Sequence, residues 1–190
     1  MSERRPAAAG IELDLEAVVR DLRAATVRVH DGRRGSGSGV VWNRSGLVIT
    51  NAHVARGKTA TVELPDGRTA RAAVVRRDPS LDLAAIRIPA DAQLVAARFR
   101  DSRTLRPGEL LVAVGHPYGL VGSATLGLLQ RCNARWVVAD VRLAPGNSGG
   151  PLADAAGRLV GINSMVANGL ALAVPSATVA KFLGEDARAA

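Results

Sequence analysis

Gly146-Asn147-Ser148-Gly149-Gly150-Pro151 is the stretch on which the reading of this chain turns. It sets one hydroxyl, Ser148, among three glycines. Glycine backbone takes dihedrals closed to other residues and lets a second backbone come close. The amides of Gly146 and Ser148 can then converge on an oxygen that gains negative charge, and one such donor contributes about 3 kcal/mol to a transition state. A serine hydroxyl is a weak nucleophile until a base takes its proton. Alone, the stretch also reads as a glycine-rich hairpin turn, so the rest of the chain decides.

A candidate base lies upstream in Thr50-Asn51-Ala52-His53-Val54, just after the apolar run Leu47–Thr50. A position at the end of a strand would give His53 a fixed orientation. Between base and serine lies Asp82, which opens the apolar run Leu83–Ile88. A carboxylate there can accept the second imidazole N–H, set the tautomer and stabilise the imidazolium. Asp78 competes, but Asp78-Pro79-Ser80 reads as a turn. Each residue taken singly has an ordinary structural explanation. Together they run His, Asp, Ser, one of the three chain orders in which this triad occurs.

Composition bounds the alternatives. The 190 residues suffice for one well-buried domain or two small ones, and 47% hydrophobic with 22% charged is globular usage. No apolar run reaches the length of a membrane span, and Met1 to Gly10 lack the apolar stretch of a signal peptide. The chain as written is therefore expected in the cytoplasm, or exported if the true start lies upstream. Cys132 is the single cysteine, so no intrachain disulfide forms. The net charge is +8, and Lys58 and Lys181 are the only lysines. Arginine and alanine are spread throughout, as a GC-rich bacterial genome imposes. With 3% aromatics and no clustered basic face, the composition argues against nucleic-acid binding. His30 and His116 show no metal-ligand spacing, so no metal and no cofactor are expected.

Along the chain, residues 1–10 read as disordered. Ile11, Leu15, Val18, Val19 and Leu22 mark one face of a helix over 11–25, with Glu12, Asp14 and Glu16 at its start. Short β-branched runs then alternate with turns. Strands are expected at Thr26–His30, Gly39–Trp42, Leu47–Thr50, Ala60–Leu64, Ala70–Arg76, Leu83–Ile88 and Leu110–Val114, and at Ser123–Leu129, Trp136–Val141, Arg158–Asn163 and Leu170–Val174. Ser176 reads as the N-cap of a closing helix through Leu183. The periodicity alone leaves sandwich and barrel open, with two halves meeting near residues 95–105.

The motifs resemble those of the protease domain of HtrA/Deg-like serine proteases. They are Gly37-Ser38-Gly39-Val40-Val41, Ile49 to Val54, Asp82-Leu83-Ala84, Gly115-His116-Pro117-Tyr118-Gly119-Leu120, Pro145 to Leu152, Val160 to Asn163 and Leu172 to Pro175. The resemblance covers about residues 11–184, with 185–190 as a tail. It implies an all-β fold: two packed six-stranded antiparallel β-barrels of the chymotrypsin/trypsin type, with a short N-terminal and a C-terminal helix. It carries the triad onto His53, Asp82 and Ser148 and the oxyanion amides onto Gly146 and Ser148. Ser164 would support Asp82, and Ser164, Met165 and Val166 would pair with a substrate strand in the cleft. The implied activity is a serine endopeptidase acting on unfolded or flexible protein segments, as in protein quality control.

Three departures qualify that expectation. The chain ends soon after the closing helix, so the family's usual PDZ domain is not expected. No export signal is visible. The stretch from Gly127 to Ser148 is short, which leaves trimer formation and regulation open. Asn147 stands where digestive relatives carry the aspartate that pairs with a cut N-terminus, so no proteolytic activation is expected. Arg142 falls at the pocket-base position. Pointing inward it would select acidic residues; pointing outward it leaves Leu143, Leu170 and Leu172 to form an apolar pocket. The outward case is preferred because a buried unpaired guanidinium is costly. A rival reading is a peptide-binding or chaperone-like protein that retains the cleft and cleaves weakly.

Overall fold

The computed structural model describes residues 7–32, 36–89 and 94–185. Six strands come first: β1 (Thr26–His30), β2 (Ser36–Val41), β3 (Leu47–Thr50), β4 (Thr59–Glu63), β5 (Thr69–Asp78) and β6 (Leu83–Arg87). They close into a barrel in the order β1-β2-β3-β6-β5-β4. Seven more follow: β7 (Arg98–Phe99), β8 (Leu110–Gly115), β9 (Ser123–Cys132), β10 (Val137–Ala139), β11 (Pro151–Asp154), β12 (Arg158–Ala167) and β13 (Leu170–Pro175). Six of these run β11-β8-β9-β10-β13-β12, and pairing of β11 with β12 closes a second barrel. β7 adds to β12 as the one parallel pair among the described strands. Helices α1 (Ala7–Ala24) and α2 (Ser176–Leu183) flank the barrels.

The apolar pattern explains the packing. In β3, Val48 faces the interior of the first barrel, while Leu47 and Ile49 face outward into a second cluster. That cluster joins Val40, Leu83 and Ala85 of the first barrel to Leu159, Ile162 and Val174 of the second, with Val179 and Phe182 of α2. Strands at this seam are buried on both faces, so they read as continuous apolar runs. On β4 only one face is covered, and burial alternates along Thr59–Glu63. Leu15, Val18, Val19 and Leu22 lay α1 on Val112, Val114 and Ala153 of the second barrel.

Several boundaries differ from the sequence reading. α1 begins at Ala7, so residues 7–10 are helical and the first turn carries no acid. Residues 1–6, 186–190 and the side chains of Ile11, Glu12 and Asp14 lie outside the described residues. β7 and β11 were not expected. β7 has two residues and hence no period, and β11 opens with Pro151, a residue tolerated only at a strand's start or edge. Ser176 is not an N-cap: Pro175 holds that position, and the Ser176 hydroxyl donates to the Arg100 carbonyl at 2.7 Å.

Ile49 is fully buried at the seam. Ile49→Ala is expected to lower unfolding free energy by about 2–5 kcal/mol, read as a lower urea midpoint with an unchanged slope.

Candidate active site

His53 sits in the turn after β3, where the Asn51 carbonyl accepts the amides of Val54 and Ala55, both at 3.1 Å. Asp82 begins the entry to β6 with φ +54°, a left-handed backbone that is strained for aspartate. The buried Asn51 side chain donates to the Asp82 carbonyl at 3.0 Å and ties the two turns together. Because β3 pairs directly with β6, both turns leave the sheet at the same end.

His53 Nδ1 lies 2.9 Å from both Asp82 carboxylate oxygens, and the His53 amide donates to Oδ1 at 3.1 Å. An ionised carboxylate only accepts, so Nδ1 carries the proton and Nε2 keeps a free lone pair. The Ser164 hydroxyl donates to Asp82 Oδ2 at 2.6 Å. Burial alone pushes the Asp82 carboxyl up, but the His53 and Ser164 hydrogen bonds outweigh it and hold the group below the ordinary aspartate range. Asp78, the rival carboxylate, instead accepts from Ser80 and Leu81 in its own turn.

Ser148 reaches the same place from the second barrel. Its hydroxyl donates to the Ser164 carbonyl at 3.0 Å; among the described residues no hydrogen bond joins it to His53. Ser164 therefore touches both the carboxylate and the serine. The β12–β13 register shifts between Asn163 and Met165, which leaves Ser164 at a bulge that re-aims its groups. The serine loop is pinned to β12 by Gly149 N–H to the Asn163 carbonyl (2.8 Å) and Asn163 N–H to the Gly150 carbonyl (2.9 Å).

Two amides of this loop are free. The Pro145 carbonyl accepts from Tyr118 N–H at 3.1 Å, and the Asn147 carbonyl accepts from Gly150 N–H at 3.0 Å. A trans peptide turns each N–H away from its own carbonyl. The N–H groups of Gly146 and Ser148 thus face away from these anchors, and among the described residues neither has an acceptor. Gly146 has φ +108°, and a Cβ there would come within 2.3 Å of the His116 carbonyl oxygen, so both conformation and space require glycine.

A cavity of about 360 Å³ adjoins the serine and is lined by Leu143, Ala144, Pro145, Asn147, Ser148, Ser164, Met165 and Val166. Leu170 and Leu172, expected there, are not among its lining residues. Arg142 is exposed. A larger cavity of about 770 Å³, between Arg76, Phe182 and Cys132, contains none of these site residues. Among the described residues no group of three or more His, Cys, Asp and Glu is arranged to hold a metal ion, and no helix is long and apolar enough to cross a membrane.

The sequence reading passed over Ser38 and Asn51 and considered His116 only as a metal ligand. His116 is buried, and Ser38 lies behind the serine loop with its N–H donating to the Ser148 carbonyl at 2.7 Å. All three lie inside motifs already quoted, but Asn51 meets Asp82 across 31 residues, Ser38 meets His116 across 78 and Ser38 meets Gly146 across 108. Burial, then Arg28 and His30, hold the His116 imidazole below the ordinary histidine value, against an opposing pull from Glu63. The unfolded chain consequently binds this proton more readily. Stability is full above the unfolded value of 6.5 and falls as the pH drops through it. The shifted carboxylates titrate lower, so they leave this window clear. The urea midpoint is expected to fall between pH 7 and 5, and His116→Asn should flatten that slope.

Residues 37–162 match the trypsin-like peptidase domain family. The chain is 37% identical over 165 residues to the serine protease HTRA1 of Xenopus tropicalis, covering 80% of this chain and 36% of the relative. It is 36% identical over 158 residues to a probable periplasmic serine endoprotease, DegP-like, of Halomonas elongata, covering 75% and 33%. The chain thus spans about a third of the length of these curated relatives. The crystal structure of the serine endoprotease from Yersinia pestis superposes with a TM-score of 0.83 at 30% identity, over 89% of this chain and 65% of that one.

Proposed function

The chain belongs to the trypsin-like peptidase family, and from that premise we propose that it is an HtrA-like serine endopeptidase working through Ser148, His53 and Asp82. The observation that supports this most directly is the His53 imidazole held by the Asp82 carboxylate, itself held by the Ser164 hydroxyl, with two amides of the serine loop that have no acceptor among the described residues.

In the proposed reaction the Ser148 side chain rotates from the Ser164 carbonyl toward His53 Nε2. His53 takes the hydroxyl proton as the oxygen attacks the scissile carbonyl, then hands that proton to the leaving amine. Asp82 keeps the proton on Nδ1 and stabilises the imidazolium. The N–H groups of Gly146 and Ser148 receive the oxyanion, and a water later attacks the acyl-enzyme by the reverse proton path.

The proposed substrate is an extended, unfolded or flexible protein segment. β12 pairs with β11 only as far as Ile162, while its residues Met165 to Ala167 pair with β13 on the other side. The serine loop takes up Asn163, and the edge beyond it suits a substrate strand. Leu143, Met165 and Val166 give the adjoining cavity an apolar lining, which favours a small or medium aliphatic side chain before the cleaved bond. Arg142 is exposed, and no cation is among the described residues that line the cavity to select an acidic residue. The resting direction of the Ser148 hydroxyl, toward Ser164, favours the second reading: a peptide-binding protein with conditional activity.

A fluorophosphonate probe separates these readings by intact mass. Wild-type protein is expected to gain one adduct and Ser148→Ala none; folded wild type that stays unlabelled in the presence of peptides would overturn the endopeptidase reading. Ser164→Ala removes a hydrogen bond to a charged carboxylate, an interaction of about 1.5–3 kcal/mol. It is expected to lower kcat about ten- to hundredfold on a chromogenic peptide, with KM little changed.

A further inference from the structure

We propose that Ser38 and His116 are positioning residues that hold the oxyanion loop open, a role that rests on the proposed use of the Gly146 and Ser148 amides. Ser38 lies on β2 of the first barrel and is fully buried. All of its polar groups are engaged. Its amide donates to the Ser148 carbonyl at 2.7 Å, and its carbonyl accepts the Thr50 hydroxyl at 2.7 Å. Its hydroxyl oxygen lies 2.8 Å from the Gly146 carbonyl oxygen, 3.1 Å from His116 Nδ1 and 3.1 Å from the His116 amide nitrogen.

Counting protons fixes the direction of these bonds. The hydroxyl has one hydrogen and two lone pairs. The Gly146 carbonyl cannot donate, so the 2.8 Å contact needs the serine hydrogen; without it two acceptors would face each other. Both lone pairs are then left for His116, whose amide N–H fills one. The other requires a proton on Nδ1. His116 is accordingly the Nδ1–H tautomer, and Ser38 Oγ has no unused donor or acceptor.

The consequence falls on Gly146. Its two flanking peptides are held separately: the Pro145 carbonyl by Tyr118, and its own carbonyl by the Ser38 hydroxyl, with His116 N–H at 3.4 Å. With both held, φ stays at +108° and the Gly146 N–H stays turned out. Loss of the hydroxyl removes the shortest restraint on the Gly146–Asn147 peptide and leaves Asn147 N–H to the Ala144 carbonyl at 3.0 Å and His116 N–H at 3.4 Å, and a glycine has no Cβ to resist its rotation. An oxyanion exists only after attack, so the damage falls on kcat rather than on KM.

The test uses the full chain as wild type, Ser38→Ala, His116→Ala and His116→Asn. Asparagine keeps an N–H donor near the position of Nδ1. On a chromogenic peptide, Ser38→Ala and His116→Ala are expected to lose about ten- to hundredfold in kcat, up to the range for loss of one oxyanion donor. KM should move less than twofold, and His116→Asn should recover most of the rate. A Ser38→Ala rate within twofold of wild type, or a loss carried by KM, overturns the proposal. Two readouts do not depend on activity. Nitrogen-15 spectra of wild-type imidazoles should show His116 protonated at Nδ1; protonation at Nε2 overturns the assignment whether or not any variant folds. Hydrogen exchange over residues 144–149 should accelerate in Ser38→Ala and not in His116→Asn; unchanged exchange also overturns it. If wild type neither cleaves nor labels, the peptidase reading fails, while tautomer and exchange still decide the role of Ser38 and His116.

Discussion

Val40, Ile49 and Leu83 of the first barrel close on Leu159, Ile162 and Val174 of the second, and the site depends on that apolar seam. His53, Asp82 and Ser38 come from one barrel; Ser148, Ser164, Gly146 and His116 come from the other. Every hydrogen bond joining the two sets is a distance measured across the seam. Apolar packing is nearly incompressible at this scale, so it fixes the separation of the two halves more firmly than the polar contacts could. The polar groups then select among arrangements that the packing already allows.

Within that frame the site holds its strain and its charge at adjacent points. Asp82 adopts a positive φ that is unfavourable for a residue with a Cβ. The Asn51 amide restrains its carbonyl, while His53 and Ser164 restrain its carboxylate. Three partners from two barrels thus keep one residue in a conformation it would leave alone. Its partly buried negative charge is tolerated because each oxygen is met by a donor. The same bonds orient His53, so structural restraint and the proposed chemistry share their atoms.

Glycines have a different task at the serine loop. A Cβ at Gly149 would lie 2.0 Å from the Ser38 carbonyl oxygen, and one at Gly146 would meet the His116 carbonyl. The loop is pressed against backbone from both barrels, and only hydrogen-sized side groups fit. Behind the loop the Ser148 and Gly146 carbonyls are tied to Ser38, while among the described residues the N–H groups of Ser148 and Gly146 have no acceptor.

Much of this was legible in one dimension. The β-branched runs gave most strands because a strand's burial repeats every two residues, or every residue when both faces are covered, as in β3 and β6. The spacing of Leu15, Val18, Val19 and Leu22 marked a helical face for a similar reason. Gly146 to Pro151 announced itself because glycine and proline restrict or free the backbone locally. Less legible were β7 and β11, too short to show a period, and Ser176, whose hydroxyl turned to Arg100 instead of capping its helix.

The sequence by itself determined which residues carry reactive groups and which segments are strands, since both are set by local covalent structure and short-range periodicity. Only the tertiary structure decided which groups meet. Ser38 and Gly146 are 108 residues apart, Asp82 and Ser164 are 82 apart, and their contacts exist because two closed barrels share one apolar seam. Likewise only the fold decided that Leu143, Met165 and Val166 line the cavity while Leu170 and Leu172 do not. A side chain's chemistry is written at its own position, but its surroundings depend on long-range packing that no local pattern encodes.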